Sequence, residues 1–509
     1  MKYFKIILIL FIFCFSFLDA QIAASVEWQK TYSGLGSNSP NDVYPDIQQT
    51  TDGGYILAGT ENDLYPSSKA NFSVIKLNSA GDIQWQKSFG GNANDRAHSV
   101  RQTTDGGYII AGETNSNDGD VTGNHGAIDF WVIKLNSSGS LQWQKTFGGS
   151  LNDIARSVRQ TTDGGYIIAG ETTSNNGDIT ANHGISDYWI VKTDSSGNIQ
   201  WQKTFGGSQV DKAQEIQQTT DNGYIIAGYS SSNNGDVSGS HGNADFWIIK
   251  LNSTGDLQWQ KALGGSSADF AYSVRQSSDG GYFVAGSISS SNGDISINHG
   301  LTDYWVLKLS ATGNIIWEKS FGTSFQEEAS GIYQTTDGGC IVTGIKYSIP
   351  QEAPTGTAYP DYWVIKLNAS GILEWQGTYG TALPDISKSI QQTSDGGFII
   401  GGHTNTASSD GLDFLIIKLS SIQLDTHENN TKKQISIFPN PAKDFVYLTN
   451  LPKESTVIVY NSAGRKIFSE KYSQTNISID TSSFVNGLYF IQIESSEKSI
   501  ISEKLIISK

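Results

Sequence analysis

Residues 161–170 read TTDGGYIIAG: a polar lead, Asp163, two adjacent glycines and an apolar run. Asp-Gly-Gly between two strand-like stretches is hairpin chemistry, because glycine supplies the positive φ of a tight turn and the aspartate bonds its own backbone. The Asp recurs as Asp52, Asp105, Asp163, Asp221, Asp279, Asp337 and Asp395, spaced 58 residues apart after a first step of 53. A second series, the tryptophan of WQK or its variants, keeps the same beat at Trp28, Trp85, Trp143, Trp201, Trp259, Trp317 and Trp375. Seven copies of one unit on a fixed period mark a repeat architecture rather than the two to four independent domains that 509 residues would otherwise imply.

Within residues 151–208 four strand-like segments alternate with turn signals. ARSVRQT leads through TDGG into YIIAGET; the long loop TSNNGDITANHGIS follows; DYWIVKT then turns through DSSGN into IQWQKTFGG. A four-stranded antiparallel meander repeated seven times predicts a seven-bladed β-propeller. The ends of the series agree with this. The chain enters at VEWQKTY, a lone outer strand around Trp28, and leaves after DFLIIKLS with no outer strand behind it. The N-terminal strand is therefore expected to complete the last blade, which removes two exposed edges. An open solenoid would need capping repeats instead, and none is visible.

The unit DYWIVKTDSSGNIQWQKTFGGSQVDKAQEIQQTTDNGYIIAG resembles the bacterial seven-bladed β-propeller repeat family, and the resemblance covers residues 25–420. Members of that family share no common activity, so the resemblance implies a fold and leaves function open. The predicted order is a signal peptide over 1–20, the propeller over 21–420, a polar linker over 421–434 and a small β-sandwich over 435–509. That last segment carries FPNPA at 438–442, VYNSAGRKI at 459–467, GLYFIQI at 487–493 and a closing EKLIISK. It resembles the C-terminal sorting domain of the type IX secretion system of Bacteroidetes. The resemblance implies the type IX machinery as a partner. It also implies export across both membranes, removal of the domain, and a propeller that is released or attached at the cell surface.

The N-terminus supports the same route. Lys2 and Lys5 precede an apolar run from Ile6 to Leu18, and Asp19-Ala20 stands before Gln21, which is the layout of a secretory signal cut after Ala20. No other stretch approaches the ~20 apolar residues of a spanning helix, so no transmembrane segment is expected in the mature chain. Of the two cysteines, Cys14 leaves with the signal, and Cys340 is left to act as a small buried apolar residue where other copies carry Tyr166 or Tyr224. The formal charge is −16, and residues 435–509 hold eight Lys or Arg against seven Asp or Glu, so the repeats carry the acid excess. Such a surface argues against nucleic acid as a partner.

In a meander the Asp-Gly-Gly turns lie at one end of every blade, and the long loops lie at the other with the connections between blades. A binding site is expected on the long-loop rim. Two sets of polar residues occupy it. One is an acid per blade near the channel mouth: Asp42, Asp95, Asp153, Asp211, Asp269, Glu327 and Asp385, each five residues before an apolar residue such as Val158. They read either as a ring for a cation or sugar or as acceptors for nearby backbone N–H groups. The other set recurs in four consecutive long loops: Asp120, His125 and Asp129; Asp178, His183 and Asp187; Asp236, His241 and Asp245; Asp294, His299 and Asp303. One His and two acids per loop would serve Ca²⁺, a transition metal or a glycan if neighbours complete the set, and otherwise stitch the loop to itself. No cofactor other than Ca²⁺ is suggested.

Catalytic signatures are missing: the chain has no G-x-S-x-G, H-E-x-x-H or phosphate loop, and Arg101, Arg159 and Arg275 occupy one repeat-equivalent position. The Gln series (Gln49, Gln102, Gln160, Gln218, Gln276, Gln334, Gln392) and the Trp series are filled in every blade and read as packing and hydrogen bonding. The sequence thus predicts a secreted or cell-surface binding or adhesion module for an extracellular glycan or protein. A surface polysaccharide hydrolase or lyase and a structural surface-layer component are the competing readings.

Overall fold

A computed structural model describes residues 23–35, 45–61, 69–348, 358–405, 412–421, 435–451, 453–461, 465–494 and 500–509. The signal segment, Asp42 and the linker from residue 422 onward lie outside them. The chain divides into two compact units, Met1–Ile422 and Gln423–Lys509. Among the described residues every regular element is a strand.

The 58-residue unit forms one antiparallel sheet. In the copy that contains TTDGGYIIAG, the strands Asp153–Gln160, Tyr166–Thr172, Asp187–Thr193 and Ile199–Phe205 lie side by side in chain order. Gln160 faces Tyr166 across the turn, where Gly164 has a φ of +83°. Gly165 is demanded by space instead, since a Cβ there would stand 2.2 Å from the Thr193 carbonyl oxygen. Among the described residues the first unit holds seven such sheets. The seventh combines Asp385–Gln392, Phe398–Asn405 and Leu412–Leu419 with the N-terminal strand Val26–Leu35, which sets Trp28 opposite Lys418.

The apolar core lies between sheets. Alternation within each strand sends one set of side chains to the preceding sheet and the other to the following one, so both faces of the middle strands are buried. Tyr188 packs against Trp247 of the next sheet at 4.5 Å between ring centroids, and Trp143 of an outer strand meets the next sheet's Tyr166 edge-on at 5.7 Å. Full burial of a ring such as Trp247 removes on the order of 200 Å² from water and stabilises by up to about 5 kcal/mol. Cys340 is one of these interior residues, and burial pushes its thiol up to about 12, so it stays protonated.

Each of the six complete inner strands carries a β-bulge at the same place. In Asp153–Gln160 the register shifts between Ala155 and Ser157, leaving Arg156 outside the ladder. The residues displaced in the same way in the other five are His98, Gln214, Tyr272, Ser330 and Lys388. A bulge bends its strand and re-aims the extra side chain.

In the second unit, Ser436–Phe438, Phe445–Thr449 and Ile477–Asp480 form a three-stranded sheet. Lys466–Tyr472, Ser455–Asn461, Gly487–Glu494 and Ile500–Ile507 form a four-stranded one. Val446 and Leu448 from the first share a core with Val457, Val459, Ile491 and Leu505 from the second.

Candidate functional site

The long-loop triplets are drawn together, and the structure engages them with backbone. Asp129 Oδ2 accepts the His125 amide at 2.7 Å and lies 2.8 Å from His125 Nδ1; the corresponding distances are 2.8 and 2.5 Å for His183 and Asp187, and 2.6 and 2.6 Å for His299 and Asp303. His241 differs, with its ring 3.5 Å from Asp245 and 3.8 Å from Asp294. Asp120, Asp178, Asp236 and Asp294 reach the connection that enters their own sheet, accepting the amides of Gly90, Gly148, Gly206 and Gly264 at 3.1–3.2 Å. The second oxygens of Asp129, Asp187, Asp245 and Asp303 are buried without a hydrogen-bond partner. Burial, only partly offset by the His amide, raises the pKa of Asp129, Asp187 and Asp245.

The acid ring is turned into the loops. Asp95, Asp153, Asp211, Asp269, Glu327 and Asp385 are fully buried. Asp95, Asp153 and Asp211 each accept a glycine amide at 2.7 Å and a hydroxyl from the neighbouring strand, Thr114, Thr172 and Ser230 respectively. Asp269 accepts from Gly265, Glu327 from Thr323 and Asp385 from Thr381. Among the described residues no three His, Cys, Asp or Glu side chains stand together as a metal-holding group.

At the opposite rim Asp163 accepts the Gly165 amide at 3.0 Å, the Thr161 hydroxyl, and Nζ of Lys192 at 2.8 Å, the lysine itself being buried. The Gln series joins successive turns: Gln160 accepts the Thr104 amide and Gln218 the Thr162 amide, at 2.8 and 2.9 Å.

What the sequence reading passed over is the channel. One cavity is lined by residues from all seven sheets, including Asp46, Ser99, Ser157, Glu215, Ser273, Gly331 and Ser389, so the inner strands converge on a common axis. Serine is the usual residue at this repeat-equivalent position, and its hydroxyl accepts an amide from the next sheet, as Ser99 does from Val158 at 3.3 Å. Gly331 stands there in one sheet, and Asp46 and Glu215 in two others, where they draw in the arginines. Arg101 pairs with Asp46, while Arg159 and Arg275 both pair with Glu215. Burial works to raise the Glu215 pKa, but Arg275 and Arg159 overcome it and hold the carboxyl at about 2. The same burial brings Arg159 down to about 9. These five residues form an ionic collar of two groups, Asp46 with Arg101 and Glu215 with Arg159 and Arg275.

Above the collar the channel widens to about 500 Å³, within the range of small-molecule sites. All six bulge residues line it: His98, Arg156, Gln214, Tyr272, Ser330 and Lys388. Here a single repeat-equivalent position is filled six different ways. Arg156 is held by Glu171 at 2.9 Å, with Lys212 on the same carboxylate at 3.7 Å; Arg96 and His98 share Glu113 at 3.0 and 3.5 Å. Lys388 stands 5.9 Å from the centre of the Tyr272 ring. The signal was present in the sequence as the second variable site of the D-x-A-x-S-V-x-Q pattern. Constancy between repeats draws attention to the scaffold, whereas a site lies where the repeats differ.

Comparison with known proteins adds the route of the chain. Residues 436–508 match the secretion system C-terminal sorting domain. Regulatory protein FlaEY of Caulobacter vibrioides is 23% identical over 225 residues, covering 41% of this chain and 23% of that protein. Beta-agarase A of Zobellia galactanivorans is 36% identical over 67 residues, 13% of this chain and 12% of the agarase. The chain thus spans less than a quarter of either relative. Among solved structures, PorZ, a surface component of the type-IX secretion system of Porphyromonas gingivalis, has 11% identity and a TM-score of 0.38 over 94% of this chain and 60% of PorZ. The WD40 domain of Neurospora crassa Pan2 has 10% identity and a TM-score of 0.42 over 78% and 97%. Among the described residues no helix is long and apolar enough to cross a membrane. A ring of repeated four-stranded sheets followed by a type IX sorting domain makes this a secreted or cell-surface protein.

Proposed function

We propose that residues 21–420 are a seven-bladed β-propeller that serves outside the cell as a binding or adhesion module for glycan or protein, with the ligand seated in the wide part of the channel. One observation carries this reading: six bulges of identical geometry present six different side chains to one cavity of about 500 Å³. A purely structural ring has no need of that variety, since the Gln series, the same in every copy, shows what the scaffold alone repeats. Hydrolysis or lysis of a surface polysaccharide is the competing reading. It needs carboxylates open to substrate; the strand-start acids of the long-loop rim are fully buried, which leaves Asp120, Asp178, Asp236 and Asp294 for that role. The test is a glycan and protein binding screen on the full chain. It is repeated with Tyr272→Ala in the channel and with His125, His183, His241 and His299 changed to Ala on the rim. Saturable binding lost on Tyr272→Ala supports the channel as the site. Loss in the histidine variant alone would move the site to the rim, and turnover of a polysaccharide would replace binding by catalysis.

A further inference from the structure

The charge of the channel runs against that of the protein. The chain as a whole carries −16, yet its channel is lined by an excess of cations. In the collar three arginines meet two carboxylates. Among the described residues that line the cavity above it, Arg156 and Lys388 stand against a single acid, Glu328, with His98 also in the lining. The flanking carboxylates Glu113 and Glu171 do not restore balance, because each also pairs with a cation outside the lining, Arg96 and Lys212 respectively. A concave, low-dielectric site with an excess of one sign focuses its field on an incoming ligand of the other. Burial and then Arg156 lower the Lys388 pKa against the opposing pull of Glu215 and Asp46, and a bound anion would add to that pull and favour the charged lysine.

The remaining lining is suited to a sugar. Tyr272 and Tyr347 are half-buried and offer aromatic faces, while Gln214 and Gln326 bring amides that can donate and accept. The volume matches one or two sugar rings. Building on the binding-module reading above, we infer that the upper channel is a site for an acidic saccharide, its carboxylate or sulfate group held by Arg156 and Lys388 and a ring stacked on Tyr272. Arginine and lysine serve both anions, so the chemistry the site recognises is the negative charge on a sugar ring.

The test is calorimetric titration of the full chain with a galacturonate disaccharide, its sulfated counterpart, the neutral galactose disaccharide and inorganic sulfate. One acidic disaccharide should bind with one site per chain, about tenfold or more tighter than the neutral one, and weaken as salt is raised. Whichever acidic sugar binds tighter names the source of the charge. Lys388→Gln should weaken it about tenfold with an unchanged melting temperature, and Lys388→Arg should retain it. Lys388→Gln also serves if Arg156→Gln proves unstable through its loss of Glu171. Equal affinity for acidic and neutral disaccharides, binding of sulfate alone as tight as that of the sugar, or full affinity in Lys388→Gln would each overturn the inference. A neutral glycan or a protein bound elsewhere would sink it while leaving the binding-module reading standing, and no ligand of any kind would sink both.

Discussion

The two rims of the ring handle buried charge in opposite ways. At the Asp-Gly-Gly rim each aspartate meets a buried lysine. Burial works to raise its pKa, but hydrogen bonds from lysine, the threonine or serine hydroxyl and a glycine amide bring Asp52, Asp105, Asp163, Asp221 and Asp279 down to about 2. At the long-loop rim the strand-start acids meet backbone, hydroxyl and imidazole groups and also one another, so burial prevails and Asp95, Asp129, Asp187, Asp211 and Asp245 are raised. The same residue type, repeated with the same regularity, stabilises the ring at one end and carries a desolvation cost at the other. A repeated aspartate therefore says little until its partner is known.

The contrast can be broken most severely at the glycines. Gly165→Ala drives a methyl group against the Thr193 backbone oxygen and should cost about 3 kcal/mol or more. Gly148→Ala at the other rim meets the side-chain carboxylates of Asp129 and Asp153 rather than backbone and should cost less. Denaturant melts of the two variants check the order, and equal losses would mean that both rims are equally rigid.

Removing one charge at each rim sharpens the same point. Asp163→Asn leaves Lys192 buried against a neutral group and should destabilise by about 2 kcal/mol at neutral pH. Asp187→Asn removes a buried charge whose second oxygen has no partner, so its effect should be within about 1 kcal/mol of zero or favourable. Thermal unfolding of both proteins decides it, and a larger loss at Asp187 would reverse the assignment.

Acid should act through the first rim. A carboxylate with a lowered folded pKa contributes stability above its unfolded value near 4 and loses it as pH falls toward 2. The raised acids work the other way, since protonation relieves them as pH falls. Unfolding followed from pH 5 to about 2 should therefore show stability falling mainly below pH 4, with the fall reduced in Asp163→Asn. The smallest effect belongs to His183→Ala. Its ring is 41% exposed, and Asp187, though buried, keeps the residue 183 amide as a donor, so the loss should stay below about 1 kcal/mol.

Much of the ring was legible in the chain. The turn at Asp163, the outer tryptophans and the lone strand around Trp28 each follow from local chemistry or from counting, and a 58-residue beat leaves few ways to arrange them. The candidate site was legible only in part. Asp120, His125 and Asp129 stood out because the motif repeats, and they hold the loop together with its neighbours' backbone. Arg156, Tyr272 and Lys388 went unremarked because no two of them are alike.

Sequence alone determined the strand pattern, the tight turns, the closing role of the N-terminal strand and the sorting segment, because these depend on residues near one another in the chain or on an exact period. Tertiary structure decided which charges meet. Arg159 and Glu215 are 56 residues apart and Lys388 lies still farther from Arg156, and only the convergence of seven inner strands on one axis brings them into a shared low-dielectric space. A β-bulge decided the rest: it shifts the strand's alternation by one residue, and so turns His98, Arg156, Gln214, Tyr272, Ser330 and Lys388 toward the channel.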